Sequence, residues 1–225
     1  MPPGASIDPT LLAELEAVYA LYAALACDID SDGGMGGRLI YVGDLDRDGS
    51  LLVRAANIAG AASLCATSDV AMQKQAIRAG VVDFLVTSLD EALRILKNEV
   101  RKRNAVAVCV AVAPSQVAAE MSERGVQPDL LRNGPGAQSA AFISRGARVI
   151  EPAPMHADRR LIILPFRSDG SEQRALDLIP EADHAARRWL RLSQRYLGPQ
   201  ARRIRSLCCD SATAETLNSL ILSGS

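Results

Sequence analysis

The stretch AVAVCVAVA, Ala105–Ala113, is apolar at every position. An uninterrupted valine-rich run of this length is typical of a strand buried on both faces, as at the centre of a parallel sheet. On either side of it, short apolar runs alternate with segments of helical period, which is the pattern of repeated strand–helix units. We predict six strands, at Leu39–Val42, Ser63–Thr67, Val82–Val86, Val106–Val112, Asp129–Leu131 and Arg148–Ile150.

Four glycines mark places where a helix ends and a strand follows directly: Gly60, Gly80, Gly125 and Gly146. Glycine adopts the left-handed conformation that closes a helix without Cβ strain, so each is predicted to be a helix cap. Ser88 and Glu91 have the spacing of a capping box at a helix start. Because crossovers between parallel strands are right-handed, the pattern favours an α/β fold with a doubly wound, mostly parallel, Rossmann-like sheet.

The two ends of the chain differ from this unit. We divide the chain into an N-terminal helix with a Gly/Asp-rich linker (1–36), a Rossmann-like domain (37–155) and an Arg-rich helical C-terminal extension (156–225). The first helix carries an apolar stripe that must pack on another element. The extension is predicted to contain a helix from about Pro180 to Tyr196, and the tail at 211–225 is predicted to be loosely held.

Composition excludes several classes of protein. The 225 residues are 48% hydrophobic and 23% charged, as in an ordinary globular protein, and the formal charge of −1 does not favour nucleic acid or an anionic membrane as partner. No apolar run approaches the roughly 20 residues of a membrane helix. Five cysteines without a C-x-x-C pair indicate a reducing cytoplasm rather than a disulfide scaffold. Two histidines do not favour a histidine-rich metal site.

Candidate binding residues lie in the turns after the strands, since ligands of open parallel sheets bind at the carboxyl ends of the strands. The first turn, GDLDRDGS, stands where dinucleotide-binding folds present glycines to a pyrophosphate. Its three carboxylates would repel a diphosphate. Asp69 has the position of a ribose-binding acid, although a helix N-cap is the favoured interpretation. The candidate cofactor-binding residues are Gly43, Gly49, Ser50, Asp69 and Ser115.

The pattern D-x-D-x-D-G occurs twice, at residues 28–33 and 44–49. It matches the opening of an EF-hand calcium loop, in which alternating carboxylates converge on one ion. The twelfth position should be a glutamate, yet it is Leu39 in the first copy and Ala55 in the second. Weak divalent binding is therefore the most that the loop supports, and solvated turn and cap residues are the favoured alternative. The candidate metal ligands are Asp44, Asp46 and Asp48.

Four segments of the sequence together resemble one known family. They are GRLIYVG (37–43), AGAASLCATSD (59–69), TSLDEALRIL (87–96) and MSERGVQPDLL (121–131). Over roughly Gly37 to Gln138 the chain resembles the urocanases (urocanate hydratases) in their Rossmann-like NAD-binding domain. The resemblance implies a parallel-sheet domain and, in true urocanases, a tightly bound NAD that acts as electrophile in a lyase reaction.

The departures from the family pattern fall in the binding turns. The family's G-x-G-G-M-G-G-A-Q turn is replaced by Gly43–Leu51, and the GGMGG string at Gly33–Gly37 precedes the first strand, where it is predicted to be a linker. The family's G-N-A is replaced by Ala113–Ser115, and its T-D-Q-T-S-A-H-D-P by Leu131–Ser139. No catalytic residue can therefore be carried over.

Two features of the C-terminal extension add candidate sites. Seven arginines and no acid lie between Arg187 and Arg205, which suits phosphate, RNA or an acidic protein face, although a solvated helix face or a subunit contact is favoured. Cys208 and Cys209 are predicted to be exposed and are candidates for redox activity. His184 is predicted to be a surface residue, and His156 lies in a Pro-rich linker without an evident partner.

Three functional hypotheses follow. The favoured one is a stand-alone, degenerate urocanase-like Rossmann protein that is a non-catalytic binding or assembly module without urocanate hydratase activity. The second is a divergent lyase-like subunit that binds NAD or another nucleotide. The third is a divalent-metal protein that uses the Asp-rich loop. We expect a small molecule or a protein as partner, no membrane, and self-association through the apolar N-terminal helix.

Overall fold

The computed structural model describes residues 8–27, 29, 33–133, 137–152, 159–164, 170–198 and 205–223. Its main feature is a six-stranded, all-parallel sheet of order β3-β4-β2-β1-β5-β6. The strands are β1 (Leu39–Asp44), β2 (Ala62–Ala66), β3 (Phe84–Val86), β4 (Val106–Val110), β5 (Leu130–Arg132) and β6 (Arg148–Ile150). All six predicted strands are present, and the predicted Rossmann-like α/β fold is confirmed.

Helices cover both faces of this sheet. They are α1 (Pro9–Ala26), α2 (Arg47–Ala59), α3 (Val70–Arg78), α4 (Leu89–Lys102), α5 (Pro114–Glu123) and α6 (Ala137–Ser144). Along β4, Ala107 and Cys109 belong to the core beneath α1, α2 and α3, whereas Val106, Val108 and Val110 belong to the core beneath α4, α5 and α6. Because alternate side chains of a strand point to opposite faces, a strand buried on both must be apolar at every position.

The four predicted cap glycines all have positive φ, with values of 95° at Gly60, 64° at Gly80, 67° at Gly125 and 101° at Gly146. Helix α4 ends differently, because Arg103 takes the same left-handed conformation at φ 60°. At the start of α4, Ser88 accepts a hydrogen bond from the Glu91 N–H at 3.3 Å, as predicted. The Glu91 carboxylate accepts from the Thr87 N–H at 3.0 Å, one residue before the cap.

Asp129 joins three strands at the amino-terminal edge of the sheet. Its carboxylate accepts from the Leu39 N–H at 2.8 Å and from the Arg38 guanidinium at 2.9 Å. Its own N–H donates to the Leu39 carbonyl, and its carbonyl accepts from the Arg148 N–H. Asp83 has the same role before β3, where its carboxylate accepts a hydrogen bond from the Ala107 N–H of β4 at 2.8 Å. These acids satisfy backbone donors where the ladders begin.

Within its described residues, the C-terminal extension contains a two-stranded antiparallel ribbon, β7 (Arg159–Leu164) with β8 (Arg205–Asp210), and three helices. The helices are α7 (Gly170–Leu178), α8 (His184–Tyr196) and α9 (Ser211–Ser223). The prediction of a loosely held tail is wrong. The Asp210 carboxylate accepts from the Thr213 N–H at 2.8 Å and thereby caps α9, which buries Ala214 and Leu217.

The prediction that Cys208 and Cys209 are exposed is also wrong, since they are 1% and 5% exposed. Cys208 points toward the core of the main domain and Cys209 toward α7 and α9, because β8 is covered on both faces. All five cysteines are free thiols, and only Cys27 is exposed.

The apolar stripe of α1 packs inside the molecule. Its Tyr22 hydroxyl donates to the Ala185 carbonyl at 2.7 Å, and the Tyr22 and Tyr19 rings lie 5.1 and 4.9 Å from that of Trp189 on α8. By length and composition alone, α1 would be long and apolar enough to cross a membrane, which the sequence analysis did not expect. Its contacts with α2 and α8 are those of a core helix.

Replacing Asp129 by alanine should destabilise the fold by about 1–2 kcal/mol, because the partly buried Leu39 N–H loses its acceptor and Arg38 loses its counter-ion. Urea denaturation at pH 7 measures the effect. Glu123→Ala, an exposed acid at the end of α5, is the matched control and should change stability by less than about 0.5 kcal/mol. Equal effects of the two substitutions would contradict the proposed role of Asp129.

Candidate functional site

The turn from β1 to α2 lies at the carboxyl edge of the sheet. Asp46 is the N-cap of α2, and its carboxylate accepts from the Gly49 N–H at 2.7 Å. Gly49 must be glycine, because a Cβ atom there would lie 2.1 Å from the Asp44 carbonyl oxygen. Gly43 has φ +73° and adjoins a shift of register between β1 and β2. The turn is therefore closely packed, and its first helical donors already have an acceptor within the chain.

Arg132 closes this turn from the neighbouring strand. It ends β5, and its guanidinium contacts the two Asp46 carboxylate oxygens at 2.8 and 2.9 Å. The same group donates to the Asp44 carbonyl at 3.0 Å and lies 3.9 Å from the Asp48 carboxylate. A two-pronged contact of this kind is the strongest geometry that arginine makes with a carboxylate.

The arrangement fixes the charge of Asp46. Partial burial acts to raise its pKa, but the hydrogen bonds from Arg132 and from the Gly49 N–H outweigh burial, and the pKa is lowered overall. Asp46 therefore remains a carboxylate through the neutral range. Within β1 itself, burial raises the pKa of the Tyr41 phenol, which stays protonated and donates to the Pro114 carbonyl at 3.0 Å.

The remaining candidate residues begin helices at the same edge. Asp69 follows β2 and caps α3, accepting from the Ala71 N–H at 2.7 Å and from the Met72 N–H at 3.3 Å, so the N-cap interpretation is confirmed. The Ser50 hydroxyl donates to the Asp46 carbonyl at 2.8 Å. Ser115 lies in the first turn of α5, which follows β4.

Sequence reasoning did not single out Arg132, although it makes the main contact of the site. The signal was available in principle, because an arginine ends one predicted strand and three acids follow another. What the sequence could not supply was the strand order, which places β5 directly beside β1.

The structure offers little for a metal ion. Across the described ranges, no group of three or more His, Cys, Asp or Glu side chains is placed to hold one. In the second D-x-D-x-D-G copy, the Asp46 carboxylate is engaged by Gly49 and Arg132. In the first copy, Asp28, Asp30 and Asp32 lie outside the described residues, as does His156.

The residues at this edge do not fit the diphosphate of a dinucleotide. Diphosphates bind at a helix start through free N–H groups and the positive end of the helix dipole. Here the Asp46 carboxylate takes the Gly49 donor, and the Arg132 guanidinium is shared by the carboxylates of Asp46 and Asp48 and the Asp44 carbonyl. The GGMGG turn at Gly33–Gly37 lies at the opposite edge, before β1, where the Met35 N–H donates to the Ala59 carbonyl and the Met35 side chain is buried.

Three arginines of the C-terminal extension make contacts with other elements of the chain. Arg187 donates to the carbonyls of Leu176 and Ile179 at the end of α7, at 2.8 and 3.0 Å. Arg188 donates to the Ile58 carbonyl at the end of α2 at 2.6 Å, and Arg205 pairs with Glu172 at 2.7 Å. The expectation of a solvated face is therefore wrong for these three residues, and the alternative of a subunit contact stays a prediction. Arg202 and Arg203 lie outside the described residues.

Comparison with known families gives a match to the parallel-sheet part of the chain. A family model described as the urocanase Rossmann-like domain matches residues 19–141, more than half of the chain. The match extends from the middle of α1 to α6 and includes every strand of the parallel sheet except β6.

Replacing Arg132 by glutamine should destabilise the protein at pH 7 by about 0.5–1 kcal/mol, the range of partly exposed ion pairs. Because Asp46 has a lowered pKa in the folded state, its contribution is present above its unfolded pKa and is lost as the pH falls through the folded value. The difference in the free energy of unfolding between Arg132→Gln and wild type should therefore shrink below about pH 4.

Urea denaturation between pH 3 and pH 7 tests this expectation. Arg47→Gln, which removes an exposed charge from the same turn, is the control and should show no such pH dependence. If the difference in the free energy of unfolding between Arg132→Gln and wild type stays constant down to pH 3, the coupling to Asp46 is refuted.

Proposed function

We propose, since the chain belongs to the urocanase family through its Rossmann-like domain, that it is a degenerate member of that family. In this proposal it is a non-catalytic binding or assembly module without urocanate hydratase activity. The five free thiols suit the reducing cytoplasm as its location.

One observation carries this proposal: Arg132 occupies the carboxyl-edge turn. In open parallel sheets ligands bind where the chain reverses its direction across the sheet, and here that point lies between the ends of β1 and β5. The guanidinium of Arg132 spans this gap from β5 to Asp44 and Asp46. A diphosphate would have to displace an ion pair and then lie beside three carboxylates, which Coulomb repulsion opposes.

The alternatives from the sequence make different predictions about ligands. A nucleotide-binding subunit must be stabilised by NAD, NADH or ADP-ribose, since a ligand that binds only the native state raises the melting temperature by mass action. A metal protein must be stabilised by calcium or magnesium. A binding or assembly module of the proposed kind requires stabilisation neither by a dinucleotide nor by a divalent metal.

Thermal melts of protein purified without added cofactor separate these functions. We expect no shift of the melting temperature with NAD, NADH, ADP-ribose, calcium or magnesium, singly or together. A dinucleotide-dependent rise that is lost in Asp69→Ala would overturn the proposal.

Asp69→Ser is the matched control for that variant, because serine keeps the N-cap of α3 and removes only the carboxylate. Loss of the rise in both Asp69 variants would assign the carboxylate to the ligand. A rise in calcium or magnesium alone, lost in Asp48→Asn, would instead establish the metal function.

Assembly has a candidate surface at one edge of the sheet. Of the five large apolar side chains that are exposed in the described part of the chain, Val70 and Ile77 belong to α3, and Phe84 and Leu85 belong to β3. Phe84 is 45% exposed and Leu85 39%, on an edge strand whose one partner among the described strands is β4. The N-terminal helix does not offer the expected surface for self-association, because its stripe is buried against α2 and α8.

We infer that a second copy of this chain covers the surface formed by α3 and β3. An edge strand has unpaired backbone donors and acceptors, and two copies related by a two-fold axis can pair the same strand with itself. The exposed apolar side chains of α3 and β3 from both copies would then be buried in the dimer interface.

Sedimentation velocity tests the dimer. Wild type should sediment as a dimer at micromolar concentration, and Phe84→Lys should shift it to monomer without unfolding it. Ile143→Lys is the control, since Ile143 is 46% exposed on α6, away from this edge, and should leave the dimer intact. A wild type that is monomeric at 100 µM would rule out this surface as a self-association site.

A further inference from the structure

Residues distant in sequence complete the C-terminal end of α2. A helix leaves its last four carbonyls without partners inside the helix. In α2, the Gly60 N–H donates to the first two of these carbonyls, and the Met35 N–H donates to the fourth, that of Ala59, at 2.8 Å. The third belongs to Ile58 and accepts from the Arg188 Nε of α8 at 2.6 Å. The end of α2 is therefore complete only when α8 is in place.

Helix α2 in turn completes the C-terminal end of α8. The Arg54 guanidinium of α2 donates to the carbonyl of Tyr196, the last residue of α8, at 2.5 Å. A guanidinium at the end of a helix also interacts favourably with the negative end of the helix dipole. Each of the two helices thus provides an arginine that caps the other, and we call Arg54 and Arg188 the reciprocal caps.

A glycine after each helix leaves room for the guanidinium of the other. Gly60 follows α2 at φ 95°, and Gly198 lies two residues beyond α8 at φ 90°. A Cβ atom on Gly60 would lie 2.5 Å from the Arg188 Nη2. A Cβ atom on Gly198 would lie 3.0 Å from the Arg54 Nη1. Both guanidinium groups therefore pack directly against backbone that has no side chain.

Arg54 is buried where α2 meets α8. It is 7% exposed, and a buried guanidinium needs acceptors in the protein in place of water. The Tyr196 carbonyl is one, and the Glu14 carboxylate of α1 lies 3.8 Å from the Arg54 Nε. A buried charge that loses its partner is strongly destabilising. Arg54 therefore fixes the position of α8 relative to α2.

Trp189 provides the apolar part of the same contact. It is the one tryptophan of the sequence, directly follows Arg188 and is fully buried. Its Nε1 donates to the Ser206 hydroxyl of β8 at 3.2 Å, and its ring packs on those of Tyr19 and Tyr22 of α1. Separation of α8 from α1 would expose these three rings to water, which the hydrophobic effect opposes.

We propose that the Rossmann-like domain and the C-terminal extension fold as one cooperative unit, held together by the reciprocal caps. The family match ends at residue 141, before the extension begins. In this chain the surface formed by α1 and α2 has its partner within the same polypeptide, namely α8. Assembly with another molecule must then use a different surface. The proposal is independent of the dimer at α3 and β3, to which neither cap belongs.

Urea denaturation of the full chain at pH 7 tests the proposal. Trp189 fluorescence reports the release of α8, and far-UV circular dichroism reports the helices of the whole chain. The two transitions of wild type should coincide, as they must for one cooperative unit. A fluorescence transition at clearly lower urea than the dichroism transition would overturn the proposal. All samples need the same protein concentration, because self-association would also raise the midpoint.

Arg188→Met and Arg54→Met each remove one cap and keep most of the apolar bulk of the side chain. Each should lower the midpoint of the fluorescence transition by about 0.5 M urea or more, because a buried carbonyl loses its donor. Arg191→Met on α8 and Arg47→Met on α2 are the matched controls, since both arginines are exposed. They should change the midpoint by less than about 0.2 M. Equal midpoints of the cap variants and their controls would contradict the role of the caps.

Native-state hydrogen exchange makes the same test on wild type, without any variant that could fail to fold. The slowest amides of β4 and of α8 should exchange at the same rate and with the same dependence on urea, because both are exposed only by global unfolding. Faster exchange of every α8 amide than of those in β4 would show that the extension opens by itself, and the proposal would be wrong.

Discussion

The burial of the parallel sheet on both faces is the constraint on which the rest of the molecule depends. Parallel strands are stable only when helices cover both sides of them, because their crossovers place helices there and their side chains alternate between the faces. In this chain β2 and β4 are buried at every residue. Two separate cores result, and the same two strands contribute to both.

That constraint also explains the position of the C-terminal extension. Helices α1 and α2 need a further layer, and α8 supplies it through Trp189 against Tyr19 and Tyr22. Two arginines of α8 donate to backbone carbonyls at the ends of other helices, Arg188 to Ile58 of α2 and Arg187 to Leu176 of α7. Arg187 and Arg188, which from their charge suggest an anion-binding surface, therefore take part in the packing between helices.

The two edges of the sheet have opposite chemistry. At the carboxyl edge, acids cluster and one arginine closes the turn, whereas at the amino edge, arginines cluster and one acid is already paired. A buried core tolerates such differences, because edge residues lie in the connections and carry little of the packing energy. A family fold can thus be retained while its usual binding turn loses the features that bind a dinucleotide.

The sequence alone determined the strands and helix ends of the parallel-sheet domain. The unbroken apolar run before Pro114 predicted a central strand, the four glycines predicted the helix ends, and Asp69 was correctly favoured as a cap, because each of these properties depends on local backbone preference or on two-sided burial. The order and spacing of four segments also indicated the family.

Only the tertiary structure decided which residues meet. The contact of Arg132 with Asp46 joins residues 86 positions apart, and it depends on β5 lying beside β1, which no local pattern encodes. The burial of Cys208 and Cys209 and the helix in the tail likewise depend on neighbours distant in sequence. Local preferences fix the conformation of a segment, but the side chains that converge on a site are set by the packing of whole elements.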